Sequence, residues 1–188
     1  MMDNIKNENI YYCYMESPIG RLKIEESKEA ITALHICMSD EDKTEADIRE
    51  TDKIDIKYEA QKTHMIYRET ILLKESKKQL KEYFAGKRRE FDLPISLHGT
   101  DFRKKVWNVL RSIPYGETLS YGEVAAQIGN PKASRAVGGA NNKNPVMIIV
   151  PCHRVIGADG SLTGFGGGLP AKEYLLAMEK GNLKMPNK

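Results

Sequence analysis

The chain has 188 residues, with 29 Lys and Arg against 26 Asp and Glu and a formal net charge of +3. That length suits one medium domain or two small ones and buries about two thirds of its unfolded surface, so disulfide staples are not needed. Three cysteines without a C-x-x-C pair, no apolar run near the roughly 20 residues of a membrane span, and no apolar signal stretch after Met1 point to a reducing, cytoplasmic setting.

Charge is unevenly spread. Residues 1–98 carry 17 basic and 20 acidic side chains, residues 99–188 carry 12 and 6. The second half is therefore the candidate for an anionic partner.

In chain order, Ile10–Met15 reads as a strand, Ser17-Pro18-Ile19-Gly20 as a turn, and Arg21–Glu25 and Ala30–Ile36 as two further strands of an antiparallel meander. Residues 39–60 hold nine acids and four bases, which predicts a solvated loop with one weak strand over Ile54–Tyr58. Ile66, Thr70, Leu73, Leu80 and Phe84 recur at helical spacing, and Gly86 stands where a helix would end. Residues 87–95 read as a linker. Beyond Gly99, Phe102, Val106, Val109, Leu110 and Ile113 mark one helix face, closed by Pro114-Tyr115-Gly116.

Ser120-Tyr121-Gly122-Glu123 fits a capping box, and Val124, Ala125 and Ile128 give the short helix after it an apolar face. Gly129-Asn130-Pro131 stops that helix, and a second one starts near Lys132–Ala133 and runs to Ala140, completing a helix-turn-helix. Ala133, Ala136, Gly138, Gly139 and Ala140 make the second helix thin, with Arg135 its one long cation. Internal packing would explain those small residues as well as close approach to another backbone would. A major-groove reader usually carries more Arg, Asn or Gln, so a narrow groove and an inserted wedge suit this helix better.

Val146–Val150 is an apolar run, read as a buried strand that Pro151 ends, leaving Cys152 at a strand end beside His153 and Arg154. Cationic and hydrogen-bonding neighbours favour the thiolate, the nucleophilic form. Six glycines between Gly157 and Gly168 make a loop whose amides can reach a planar ligand.

Pro151-Cys152-His153-Arg154-Val155 resembles the active-site signature of the O6-alkylguanine-DNA alkyltransferases, also called methylated-DNA–protein-cysteine methyltransferases. Residues 99–131, the Lys-x-x-Arg-Ala-Val-Gly-Gly-Ala and Asn-Pro-Val runs within 132–150, and the glycine-rich loop 157–169 are similar to that family too. So are Tyr83-Phe84-Ala85-Gly86 and Phe91-Asp92-Leu93-Pro94. Only residues 38–65 match poorly.

The resemblance implies an α+β fold. A small N-terminal domain, 1–97, would carry an antiparallel, ribonuclease-H-like sheet; a mostly helical C-terminal domain, 98–188, would carry a winged helix-turn-helix-like DNA-binding motif. It implies repair by direct reversal: O6-methylguanine, and O4-methylthymine, flipped from duplex DNA and dealkylated onto Cys152 once per molecule. His153 would deprotonate Cys152 through a water, Glu179 would orient His153, Asn144 would brace the turn, and Tyr121 would donate to guanine N3. Arg135 would fill the vacated stack, with Ala133, Ser134 and Gly138 at the DNA. The carbonyls of Cys152 and Val155, the Phe165 wall and the Gly166 amide would line the base pocket. Phe165 replaces a tyrosine common in the family, and Gly166 a serine or alanine.

The implied partner is double-stranded DNA carrying O6-alkylguanine, bound through the minor groove by a monomer, with no cofactor and no membrane. Cys13, His35, Cys37 and His64 lack the spacing of a zinc site, so no metal is expected. A DNA-binding regulator would not need Cys152, and a Cys-His hydrolase would need an oxyanion motif that is not evident.

Overall fold

The computed structural model describes residues 8–37 and 63–182; the acidic stretch and its expected strand Ile54–Tyr58 lie outside them. Strands β1 (Glu8–Met15), β2 (Leu22–Ser27), β3 (Ala30–Ile36) and β4 (Thr63–Tyr67) form one sheet in the order β3-β2-β1-β4. β2 alternates fully buried Leu22 and Ile24 with half-buried Lys23 and Glu25, the period-2 pattern of a strand with one core face. β1–β2 and β2–β3 are antiparallel as expected, but β4 runs parallel to β1, pairing Ile66 with Tyr11. The sheet is mixed, not wholly antiparallel.

That pairing also corrects the first helix. Ile66 belongs to β4, and α1 spans Ile71–Phe84. The extended Thr70 caps it, its hydroxyl accepting from the Leu73 amide at 3.1 Å. Periodicity alone could not separate an apolar strand residue from the helix that follows five residues later. Leu73, Leu80 and Tyr83 of α1 are buried, and the helix packs on β1, β2 and β3.

The remaining elements are α2 (Asp101–Ser112), β5 (Leu119–Ser120), α3 (Tyr121–Gln127), α4 (Ser134–Asn142), a 3₁₀ turn at Cys152–Arg154, β6 (Val155–Ile156) and α5 (Leu169–Glu179). The fold is α+β, with five helices among the described residues. The capping box is formed: the Glu123 amide donates to Ser120 Oγ at 3.1 Å, and the Ser120 amide donates to Glu123 Oε2 at 2.6 Å. Trp107 of α2 is buried and donates through Nε1 to the Ala140 carbonyl at 2.9 Å, locking α2 to α4.

One hydrophobic core runs from Leu22, Ile24 and Leu34 of the sheet through Leu73 and Leu80 to Trp107, Val137, Val146 and Leu175. The outer edge of β3 is occupied. Ile31 pairs with residues 94–96, and Leu34 exchanges hydrogen bonds with Pro145 and Met147 at 2.9 and 3.0 Å. That edge therefore anchors the segment leading to Cys152. β5 and β6 pair in parallel, Leu119 with Val155, which brings the start of α3 beside the residue that ends the Cys152 turn.

Candidate active site

Val146–Val150 is not a strand. Val146 and Met147 make isolated bridges, and Ile148 turns the chain with φ 72° although it is β-branched and buried. The Ile149 amide donates to the Met147 carbonyl at 2.9 Å, closing a three-residue turn around Ile148, and the Val150 amide donates to the Val146 carbonyl at 2.9 Å. Asn144 satisfies what remains: its Nδ2 donates to the Val150 carbonyl at 2.7 Å and its Oδ1 accepts from the Val146 amide at 3.1 Å. The apolar composition records burial, while the backbone follows the local bonds of Asn144, which outcompete a ladder with only one neighbour. The Cys152 amide donates to the Val150 carbonyl at 2.8 Å, so the cysteine enters a 3₁₀ turn rather than a strand end.

Cys152 is buried, and burial pushes its thiol up to about 11, against opposing contributions from Asn144, its own and the His153 backbone, and Lys172. Neighbouring polar groups alone suggested the thiolate; desolvation outweighs them in the unliganded protein.

His153 is fully buried, and its Nε2 lies 2.9 Å from Glu179 Oε1. Burial pulls the imidazole below its ordinary value, so it is neutral at pH 7, with the Glu179 contact opposing. An ionised carboxylate only accepts, so Nε2 carries the proton and Nδ1 is left with a free lone pair. Nδ1 is buried and has no protein partner.

Glu179, the last residue of α5, is a hub. Its Oε1 accepts from His153 Nε2, from Tyr83 Oη at 2.6 Å and from Arg154 Nη2 at 2.8 Å. Its Oε2 accepts from Arg154 Nε at 2.9 Å and from the Gly116 amide at 3.1 Å. Burial would raise this carboxyl, but the hydrogen bonds and charges of His153 and Arg154 hold it well below the usual carboxylate range. Arg154 also donates to the Ile113 carbonyl at 2.6 Å, tying the end of α2 into the same cluster.

Tyr121 opens α3, next to the β5–β6 pair that follows the cysteine turn. Its hydroxyl donates to the Thr163 carbonyl at 3.0 Å, and a Cβ at Gly138 would meet its ring at 3.8 Å, so the thin helix α4 leaves the ring room. Fully buried Lys172 donates to the carbonyls of Val155 at 2.6 Å and Thr163 at 2.8 Å, joining the glycine loop to the cysteine turn. The Cys152 carbonyl accepts from Asn141 Nδ2 at 3.2 Å. Of the two carbonyls expected at the base pocket, that of Cys152 therefore already holds two donors, Asn141 Nδ2 and the Val155 amide, and that of Val155 holds the Lys172 ammonium. Phe165 is buried; Gly166 is exposed, and a Cβ there would meet Met147 at 3.7 Å, an ordinary contact.

Arg135 is exposed in the first turn of α4, with Ala133 and Ser134 half-buried before it and Gly139 open. The outward face of α4 is thus Arg135, Ala136, Gly139 and Asn142, while Val137, Ala140 and Asn141 pack inward.

Tyr83, Gly116 and Lys172 were not singled out as partners of this site from sequence, and Arg154 was read as a cationic neighbour of Cys152 rather than as the partner of Glu179. Lys172, Leu175, Leu176 and Glu179 share one helical stripe, which was the available signal for Lys172. Nothing local marks Tyr83, 96 residues before its partner. Among the described residues no group of three or more His, Cys, Asp or Glu is arranged to hold a metal, and no helix is long and apolar enough to cross a membrane.

A family model described as 6-O-methylguanine DNA methyltransferase, ribonuclease-like domain, matches residues 10–97, and one described as 6-O-methylguanine DNA methyltransferase, DNA binding domain, matches residues 101–181. The chain is 45% identical over 170 residues to a methylated-DNA–protein-cysteine methyltransferase of Methanosarcina acetivorans, covering 90% of this chain and 98% of that one. It is 45% identical over 171 residues to the constitutive methylated-DNA–protein-cysteine methyltransferase of Bacillus subtilis, covering 90% and 95%. The crystal structure of Mycobacterium tuberculosis O6-methylguanine methyltransferase superposes with a TM-score of 0.71 at 42% identity, covering 93% of this chain and 94% of that one. The same protein in complex with DNA gives 0.72 at 40% identity, with the same coverage.

Proposed function

The chain belongs to the 6-O-methylguanine DNA methyltransferase family, and on that premise we propose that it repairs DNA by moving the methyl group of O6-methylguanine, and of O4-methylthymine, onto Cys152. The observation that carries the reading is the buried Cys152-His153-Glu179 arrangement, with the Nδ1 lone pair of a neutral His153 left available.

In this reading the alkylated base leaves the stack, because no protein atom reaches its O6 substituent inside a duplex. Arg135 fills its place from the minor groove, and Ala133, Ser134 and Gly138 let the helix sit close to the backbone. His153 Nδ1 takes the thiol proton through a water, and Glu179 holds the imidazole. The Cys152 sulfur then attacks the alkyl carbon, the C–S bond forms as the O6–C bond breaks, and the electron pair stays on guanine. Tyr121 donates toward guanine N3, offsetting that charge. Asn144 holds the turn, and Val155, Phe165 and Gly166 border the base.

The thioether product is not reversed by thiol exchange, so each molecule acts once. The protein works as a cytoplasmic monomer, with residues 1–97 as the sheet domain and 98–188 as the alkyl-transfer domain. Family matches that meet between 97 and 101 support that division. The basic second half supports salt-sensitive binding to the phosphate backbone.

The test uses a duplex with one O6-methylguanine, incubated with equimolar protein and digested to nucleosides. Loss of O6-methyldeoxyguanosine and recovery of deoxyguanosine are expected with the native protein and not with Cys152→Ala. A lesion that persists with native protein overturns the reading.

A further inference from the structure

Tyr83 sits on α1, within the stretch matched by the ribonuclease-like model, yet its hydroxyl donates to Glu179 Oε1 at 2.6 Å in full burial. This is the shortest of the three hydrogen bonds that oxygen accepts. A carboxylate offers about four lone-pair sites, and Glu179 receives five donors. The donors therefore compete, and what Tyr83 takes from Oε1 is withdrawn from His153.

We propose that Tyr83 is a positioning residue of the alkyl-transfer site: its phenol, reaching in from the N-terminal sheet domain, weakens the hold of Glu179 on His153 Nε2 and so keeps His153 uncharged and Nδ1 able to accept. The inference deepens the alkyl-transfer reading and rests on it for the link to rate. It gives the N-terminal domain a part in the chemistry that no sequence motif of residues 1–97 suggested.

His153 meets Glu179 and Lys172 from α5 and Arg154 from its own turn, and both cations oppose its protonation. Glu179 also faces Tyr115, whose ring lies under the guanidinium groups of Arg89 and Arg154 at 5.5 and 5.7 Å. None of these donates to Oε1 except Arg154, which is shared with Oε2 and fixed to Ile113. Tyr83 is thus the neutral donor whose removal changes Oε1 without changing a charge. Burial and Glu179 raise the phenol well above its ordinary value, so it stays a donor across the working range.

The test measures His153 by ring NMR in the free protein and the pH dependence of single-turnover methyl transfer, in native protein, in Tyr83→Phe, and with 3,5-difluorotyrosine inserted at position 83. Tyr83→Phe is expected to raise both the His153 titration and the acid limb of the rate profile by about 0.5–1 pH unit, with the rate on the alkaline plateau within about twofold. The fluorinated phenol, a stronger donor, shifts both the other way. A purely structural role would lower melting temperature in Tyr83→Phe without moving either curve, and that result overturns the proposal. If Tyr83→Phe does not fold, the fluorinated protein decides, an unshifted His153 refuting the proposal. Native protein that transfers no methyl would refute the alkyl-transfer reading, while the His153 titration still reports on Tyr83.

Discussion

Arg154 grips Glu179 through two parallel hydrogen bonds, Nε to Oε2 at 2.9 Å and Nη2 to Oε1 at 2.8 Å, with both side chains buried. The residues are 25 apart in sequence and join the end of α5 to the turn that carries Cys152. A buried pair of this kind adds little over an apolar filling, but breaking it strands a charge. Glu179→Gln keeps an acceptor for His153 and removes the anion for Arg154. Its expected cost is about 3–5 kcal/mol in urea unfolding, together with a fall of about 10²-fold or more in single-turnover rate.

The same pair sets an acid limit. Glu179 lies below its ordinary value of 4.5 in the folded protein, so its contribution is complete above 4.5 and lost as pH falls below it. His153 is also lowered, from 6.5; the unfolded chain binds its proton first, so stability starts to fall below 6.5. Unfolding free energy should therefore decline in two stages from neutral to acid pH, and His153→Gln should remove the first stage. A flat profile between pH 7 and 5 would contradict the buried neutral imidazole.

Arg135 is exposed on α4 and makes no hydrogen bond or ion pair to the Cys152 cluster, so its proposed part in base extrusion can be tested apart from the chemistry. Arg135→Ala is expected to slow transfer from duplex DNA by about 10–100-fold, the worth of a few kcal/mol of unstacking. Transfer from free O6-benzylguanine, which needs no extrusion, should be unchanged. Equal losses on both substrates would place Arg135 in the pocket instead.

Asn144 holds the turn before the cysteine through two hydrogen bonds to the backbone. Asn144→Ala leaves the Val146 amide without its partner, at about 1–3 kcal/mol, and takes away one of the Val150 carbonyl's two donors, at about 1 kcal/mol more. Chemical denaturation should show a loss of about 2–4 kcal/mol, and the rate should fall with it because the strained φ at Ile148 is no longer held.

Between β2 and β3, Lys28 and Glu29 both have positive φ, 50° and 59°, as a two-residue turn of the I′ kind demands. Glu29 is exposed. Glu29→Gly should stabilise the protein by about 0.5–1 kcal/mol without affecting transfer, read as a rise in melting temperature.

Legibility in the sequence followed the range of the forces involved. Ser120 and Glu123 bond to their own backbone, so that helix start was readable, as were β2 and the face of α2. Ile66 was misplaced because a parallel partner strand, β1, lies more than 50 positions away in the chain. Val146–Val150 was misread because burial and strand pairing give the same composition, and only the bonds of Asn144 tell them apart. The pentapeptide around Cys152 pointed to the family, and the resemblance named Glu179, which the structure hydrogen-bonds to His153. The hydrogen bond from Tyr83 to Glu179 joins α1 to the end of α5 across 96 positions, which no local pattern records.

The central claim is that Cys152 accepts one methyl group and keeps it. Intact-protein mass spectrometry after incubation with excess O6-methylguanine duplex tests it most directly. A single methyl's gain is expected, mapped to the peptide containing Cys152, complete at one lesion per protein and absent in Cys152→Ala. Methyl found on another residue, or lesions repaired in excess of protein with no mass gain, would contradict it.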